Sequence, residues 1–215
     1  MKSFLSIRWI LTTLLVLAGV VGMIRLGFWQ LDRLAERRAA NAQVTAQINA
    51  LDLNLNLDLP LNQLSDMEYR SVVVTGTYDF SQEVVLRSQV FNGNLGFDVI
   101  TPLKIQGSSN LVMVNRGWIP YDNAQPDQRN HYFELGQVTV KGLLRRPQSK
   151  SAILGDPDPT LAPGQTRLDA WNAINLDRLQ KQVSAPILPV YIQQAPDPNN
   201  PSAQVMAAVR SLLQP

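Results

Sequence analysis

This 215-residue sequence predicts a mainly β fold with minor α: an N-terminal transmembrane helix, then a small antiparallel β-sheet or barrel-like extramembrane domain. Three observations predict it. One long uncharged apolar run lies near the N-terminus, β-branched runs follow one another between Gly- and Pro-bearing turns, and no long amphipathic helices alternate with them. Composition divides the chain into an anchor at 1–28, a juxtamembrane helix and extended linker at 29–65, a β-rich domain at 66–195 and a Pro-rich tail with a short helix at 196–215.

The anchor rests on WILTTLLVLAGVVGMI, Trp9 to Ile24, which carries no charge and continues through RLGFW to Trp29. At ~1.5 Å per residue, a helix over those positions covers about 31 Å, close to the ~30 Å hydrocarbon core of a bilayer. Trp9, Phe28 and Trp29 fall where interfacial aromatics belong, and the long stem of Arg25 can snorkel to the headgroups. A cleaved signal peptide is the rival. The bulky LGFWQL stretch and Arg25 stand where a signal protease needs small residues, so an uncleaved anchor is expected. Positive charges flank both ends, and charge alone does not orient the span.

After the span, WQLDRLAERRAANAQVTAQINA (29–50) lacks Gly and Pro and reads as the same helix continuing into water. LDLNLNLDLPL then places Leu at every odd position from Leu51 to Leu61, the period of an extended segment with one buried face; Pro60 excludes a central strand. In the body, YRSVVVTGTYD (69–79) and EVVLRS (83–88) bracket an expected hairpin at Asp79–Gln82. FNGNLG is a second expected turn, with Gly93 and Gly96 as its flexible positions. FDVITPLKI (97–105), NLVMVNRGWIP (110–120), GQVTVKGLLR (136–145) and LPVYIQQ (188–194) complete six strands, and LDRLQKQV (176–183) reads as a short helix.

Composition excludes several chemistries. The chain has no Cys, hence no disulfide, thiolate metal site or Cys nucleophile. Residues 1–40 carry a net charge of +4 and the remaining 175 residues −2, so no basic face exists for nucleic acid and none is expected as a partner. His131 is the single histidine, in the polar stretch RNHYFEL, and reads as a solvated loop residue. No phosphate loop, nucleophile elbow, paired-carboxylate or metal-ligand spacing occurs, and Asp156-Pro157-Asp158-Pro159 reads as a Pro-rich loop; the expectation is a protein that is not an enzyme, with no catalytic and no metal residues.

Two unusual local strings remain. LGFWQLDRL (26–34) lies where the membrane helix leaves the bilayer: Gly27 permits close approach, Trp29 anchors at the interface, and Gln30 and Arg33 share a helix face. VNRGWIP (114–120) ends an apolar strand. Alternation would put Arg116 and Trp118 on one face, as a cation–π pair offered to a ligand; alternatively Gly117 forms a bulge and Trp118 is core.

With these strings the sequence resembles the surfeit-locus-one (Shy-one) family of cytochrome c oxidase assembly proteins. LGFWQLDRL, EYRSVVVTGTYD, LGFDVITPL, VMVNRGWIP, GQVTVKGLLRRP and a late WNAINLDRL segment carry the resemblance, in order, over about residues 10–195. It implies a membrane protein that assists haem a delivery or insertion into oxidase subunit I. Its β-domain would lie on the periplasmic or mitochondrial intermembrane-space side of a bacterial plasma membrane or mitochondrial inner membrane, with subunit I, other assembly factors and the lipid bilayer as partners. The matching positions are Gly27, Trp29, Gln30, Arg33, Gly76, Thr101, Pro102, Asn115, Arg116, Gly117 and Trp118, and no catalytic role comes with them. The family's second transmembrane helix and its haem-linked histidine have no counterpart in APDPNNPSAQVMAAVRSLLQP. Any contact with haem a is therefore expected to be transient, with no stable binding to this chain alone. The alternative expectation is a membrane-tethered β-domain that binds a protein partner without cofactor.

Overall fold

The computed structural model describes residues 7–57, 61, 63–147, 160, 161 and 164–196; the Asp156–Pro159 loop and the expected tail helix lie outside the described residues. The chain divides into two compact units, Met1–Ala46 and Gln47–Pro215.

The described residues of the first unit all lie in one helix. α1 runs Ile7–Ile48 without interruption, so the apolar run and the polar stretch after it form a single 42-residue element. None of its residues is buried, and by length and composition it is a candidate membrane span. Thr12 and Thr13, the hydroxyls within the apolar run, donate to the carbonyls of Arg8 and Trp9 at 2.9 Å, which satisfies them inside the helix.

The second unit is a closed barrel. Its strands are β1 (Leu53–Asn54), β2 (Ser71–Tyr78), β3 (Val84–Phe91), β4 (Asn94–Ile105), β5 (Leu111–Pro120), β6 (Gln137–Arg145), β7 (Ala170–Trp171) and β8 (Ile187–Gln194), with a short helix α2 (Leu176–Leu179). All six strands expected from the sequence are present. The ladder order β1-β2-β6-β8-β5-β4-β3-β7 closes on itself through a further β2–β4 pairing. β2 and β3 both run antiparallel to β4 and meet consecutive parts of it, Leu103–Ile105 and Asn94–Ile100. They act as one long strand bent at Asp79–Gln82. That corrects the expected hairpin: these residues form a 3-10 corner, in which the Asp79 carboxylate accepts from the Ser81 N–H and hydroxyl and from the Gln82 amide. With β2–β3 counted as the first ring strand, the order around the ring is 1-2-3-5-4-1. Its third and fifth strands, β5 and β8, are parallel. This is the Greek-key connectivity of the OB-fold barrel.

The reversal after this long strand lies at Asn92 and Gly93 alone. Both have positive φ (48° and 79°), as a two-residue type I′ hairpin turn requires. Gly96, expected in the turn, instead pairs within the β3–β4 ladder, where an added Cβ would strike the Trp118 ring at 2.5 Å.

Side-chain alternation fills the barrel. Val72, Val74, Leu103, Ile105, Val112, Val114, Val140, Leu144, Val190 and Ile192 belong to the interior cluster, and burying each contributes roughly 1.5–3 kcal/mol. Met113 and Tyr191 point the other way, into a second cluster built by Leu168, Trp171, Ile174, Leu176 and Leu179. β5 is therefore covered on both faces, which explains its unbroken apolar run. The leucine ladder is realised only in part. Leu53 and Leu55 are buried, but Leu51 and Leu57 are exposed at 86% and 79%. The Asn56 amide takes both backbone groups of Thr75 (2.7 and 2.8 Å), so a side chain replaces the next rung and pairing stops.

Candidate functional site

At the corner between β2 and β3 the barrel wall holds a buried ion cluster. Glu83, the residue before β3, has a side chain only 3% exposed. Thr101 of β4 donates to its Oε2 at 2.6 Å. Arg116 of β5 approaches Oε2 at 3.5 Å, and Arg129, from the connection between β5 and β6, approaches Oε1 at 3.6 Å. Arg116 also donates to Glu134 Oε1 at 2.8 Å and to the Tyr132 carbonyl; Arg129 binds both oxygens of Asp169 at 3.0 and 2.9 Å. The guanidinium of Arg116 lies over the rings of Tyr78 (4.8 Å) and Phe80 (5.3 Å), and Phe80 stacks on Phe133. A ring face offers a desolvated guanidinium some of the stabilisation it loses on leaving water.

The electrostatics follow from this burial. Desolvation pushes the Glu83 carboxyl above its ordinary range, against the downward pull of Thr101, Arg116 and Arg129. Desolvation likewise raises the Tyr78 phenol, whose hydroxyl donates to Gln194 at 3.0 Å. Arg167 donates to the carbonyls of Ser81 and Glu83, and burial lowers its pKa. The cluster thus joins five separate chain segments: the 79–83 corner, β4, β5, the 121–136 connection and the 167–169 segment. It carries no exposed nucleophile; chemically, the arrangement is a charge-assisted lock.

Arg116 owes its position to a β-bulge. Opposite β4 the register passes from Val99↔Gly117 to Ile100↔Asn115, leaving Arg116 as the extra residue. Gly117 has φ 121°, a conformation that L side chains rarely adopt, and its N–H bonds the Asn115 side chain at 3.0 Å. Asn115 also donates to Asp98 at 2.9 Å. The bulge breaks the alternation that would have paired Arg116 with Trp118. Arg116 faces Tyr78 and Phe80; Trp118 packs on Phe91 and Gly96 and donates to the Gln89 carbonyl at 3.2 Å. The bulge alternative is the one observed, except that Trp118 is half-buried and not core.

The structure therefore brings Thr101 and Arg116 together directly, with Asn115, Gly117 and Trp118 shaping the bulge beside them. Pro102 accepts the Asp79 N–H at 2.9 Å, and Gly76 lets β2 cross β4 closely: a Cβ there would lie 2.3 Å from the Lys104 carbonyl oxygen. Gly27, Trp29, Gln30 and Arg33 lie exposed on α1, in the other unit, where Arg33 pairs with Glu36 at 3.3 Å. Sequence reasoning missed Glu83, Arg129, Glu134 and Asp169. His131 drew attention, yet it is exposed, while its neighbours Arg129 and Tyr132 are the buried ones.

Fold and site define a class: an OB-type barrel, locked by a buried ion cluster, in a chain that also carries a candidate membrane span. The chain belongs to the SURF1 family, whose model matches residues 17–214. It is similar to a SURF1-like protein of Monosiga brevicollis, 31% identical over 62% of this chain and 54% of that protein. It also resembles Surfeit locus protein 1 of Rattus norvegicus (24% identical, 87% of this chain, 62% of that protein). A third relative is cytochrome oxidase assembly protein SHY1 of Saccharomyces cerevisiae (28% identical, 60% of this chain, 34% of that protein). The chain spans about half the length, or less, of several of these relatives. The resemblance carried by the sequence motifs is borne out.

Proposed function

We propose that this protein assists assembly of cytochrome c oxidase, as a membrane-bound, non-catalytic factor acting at haem a delivery or insertion into subunit I. The observation that carries this is the family match over residues 17–214, which joins the chain to a relative named for oxidase assembly. α1, with no buried residue and apolar in its first half, supports a membrane location; the periplasmic or intermembrane-space side for the barrel is proposed from the family resemblance alone. Subunit I and other assembly factors are the proposed partners. The chain has no Cys, and its single histidine, His131, is exposed on a 3-10 turn. Haem a is therefore proposed as cargo met in transit.

The test is deletion of the gene followed by complementation with the full chain. Expected is a fall in assembled oxidase and in its haem a absorbance, restored by the wild-type chain; unchanged oxidase in the deletion strain overturns the proposal. A reporter fused after residue 195 should be active only as a periplasmic enzyme, and activity as a cytoplasmic reporter would reverse the sidedness.

A further inference from the structure

Beside the ion cluster, the barrel carries a cleft of roughly 600 Å³. Its walls come from β3 (Arg87), β4 (Leu95, Phe97), the turn after β5 (Tyr121) and the segment before β7 (Leu168, Asp169). In ring terms it lies beside the first hairpin and the fourth-to-fifth connection, the region where OB folds bind oligonucleotides and oligosaccharides. Fold alone does not name a ligand; the residues lining the cleft do.

One wall is apolar and open. Leu95 is 56% and Tyr121 62% exposed, and the Phe97 and Tyr121 rings meet at 5.3 Å. The polar groups are unequal. Asp169 has its charge compensated by both bonds from Arg129, whereas Arg87, exposed on the rim, makes no ion pair with any carboxylate among the described residues. Arg87 sits on a second bulge: the β3–β4 register shifts between Leu86 and Gln89, and Ser88 has φ 59°. Such bulges re-aim side chains and end strand pairing, and β7 does pair β3 only as far as Leu86. A guest here is held by side chains, an apolar group on the Leu95–Phe97–Tyr121 wall and an acid on Arg87. Nucleic acid, a common guest of OB barrels, does not suit a body of net charge −2.

We propose that this cleft docks a short extended peptide segment of a partner protein, one that presents an apolar residue close to an acidic one. The proposal stands whether or not that partner is an oxidase component.

The test uses the full chain in lipid nanodiscs and fluorescence anisotropy of labelled, terminally blocked octapeptides. One series carries Phe or Leu two residues from Asp; the other has Lys in place of that Asp. Expected is saturable binding of the Asp series about tenfold tighter than the Lys series, of the order that one charge contact provides. Arg87→Glu should reverse that preference, and Tyr121→Ala should weaken both series at an unchanged melting temperature. Absence of saturable binding, or an unaltered preference in Arg87→Glu and in the neutral Arg87→Gln, overturns the proposal. So does binding that survives Tyr121→Ala combined with Leu95→Ser, because the peptides would then be seated elsewhere.

Discussion

Replacing Arg116 by Met tests the lock directly. The Arg116 side chain is fully buried. Its loss removes the bond to Glu134, the bond to the Tyr132 carbonyl, and one of the two cations facing Glu83. Glu83 is left buried with Arg129 at 3.6 Å and the Thr101 hydrogen bond. Removing one partner of a buried ion pair costs about 3–5 kcal/mol, because the remaining charge is cut off from water and has lost part of its compensation. For a chain of this size, ~2–4 °C of melting temperature per kcal/mol puts the fall at roughly 6–20 °C. Denaturant titration of the full chain in micelles, followed by tryptophan fluorescence, gives the free energy. The double variant Arg116→Met/Glu83→Gln should be more stable than the sum of the two singles predicts, with a coupling of about 1 kcal/mol or more. A single variant within ~1 kcal/mol of wild type and no coupling in the cycle would refute the claim that the cluster holds the five segments together.

Three further outcomes follow from other parts of the barrel. Gly76→Ala should cost about 1–3 kcal/mol or more, since its Cβ meets the Lys104 backbone at 2.3 Å where the ring closes. Gly93→Ala, open in space but at φ 79°, should cost only about 1–2 kcal/mol; the reverse order in denaturant midpoints would contradict the closure geometry. Burial raises the Asp79 carboxyl pKa, but its hydrogen bonds from Ser81 and Gln82 together outweigh this and hold the pKa below the ordinary value. The stability it contributes is therefore present above the unfolded-state pKa of ~3.9 and is lost as pH falls through the lower folded value. Asp79→Asn should flatten that acid limb in melts across pH 2–5, and an unchanged limb would argue against the corner cap. Trp118→Phe keeps the contact with Phe91 and forfeits the bond to the Gln89 carbonyl, so a loss of about 0.5–1.5 kcal/mol is expected in the same titration.

Periodicity and composition alone determined the apolar run of α1, its polar continuation, the six long strands and the short α2, because each depends on neighbours within a few residues. The absence of thiols was read directly from composition. Pairing partners were not. Asp79–Gln82 looks like a hairpin between two β-branched runs, and only the position of β4, against both, shows that the runs are collinear. The Arg116–Trp118 alternation failed because one residue of bulge, set by the register opposite Val99 and Ile100, inverts every side chain after it. Nothing local singles out Glu83 or Arg129, 46 positions apart in the chain. Barrel closure brings them within 3.6 Å with both side chains buried, and that burial, which no local pattern records, sets these two common residues apart.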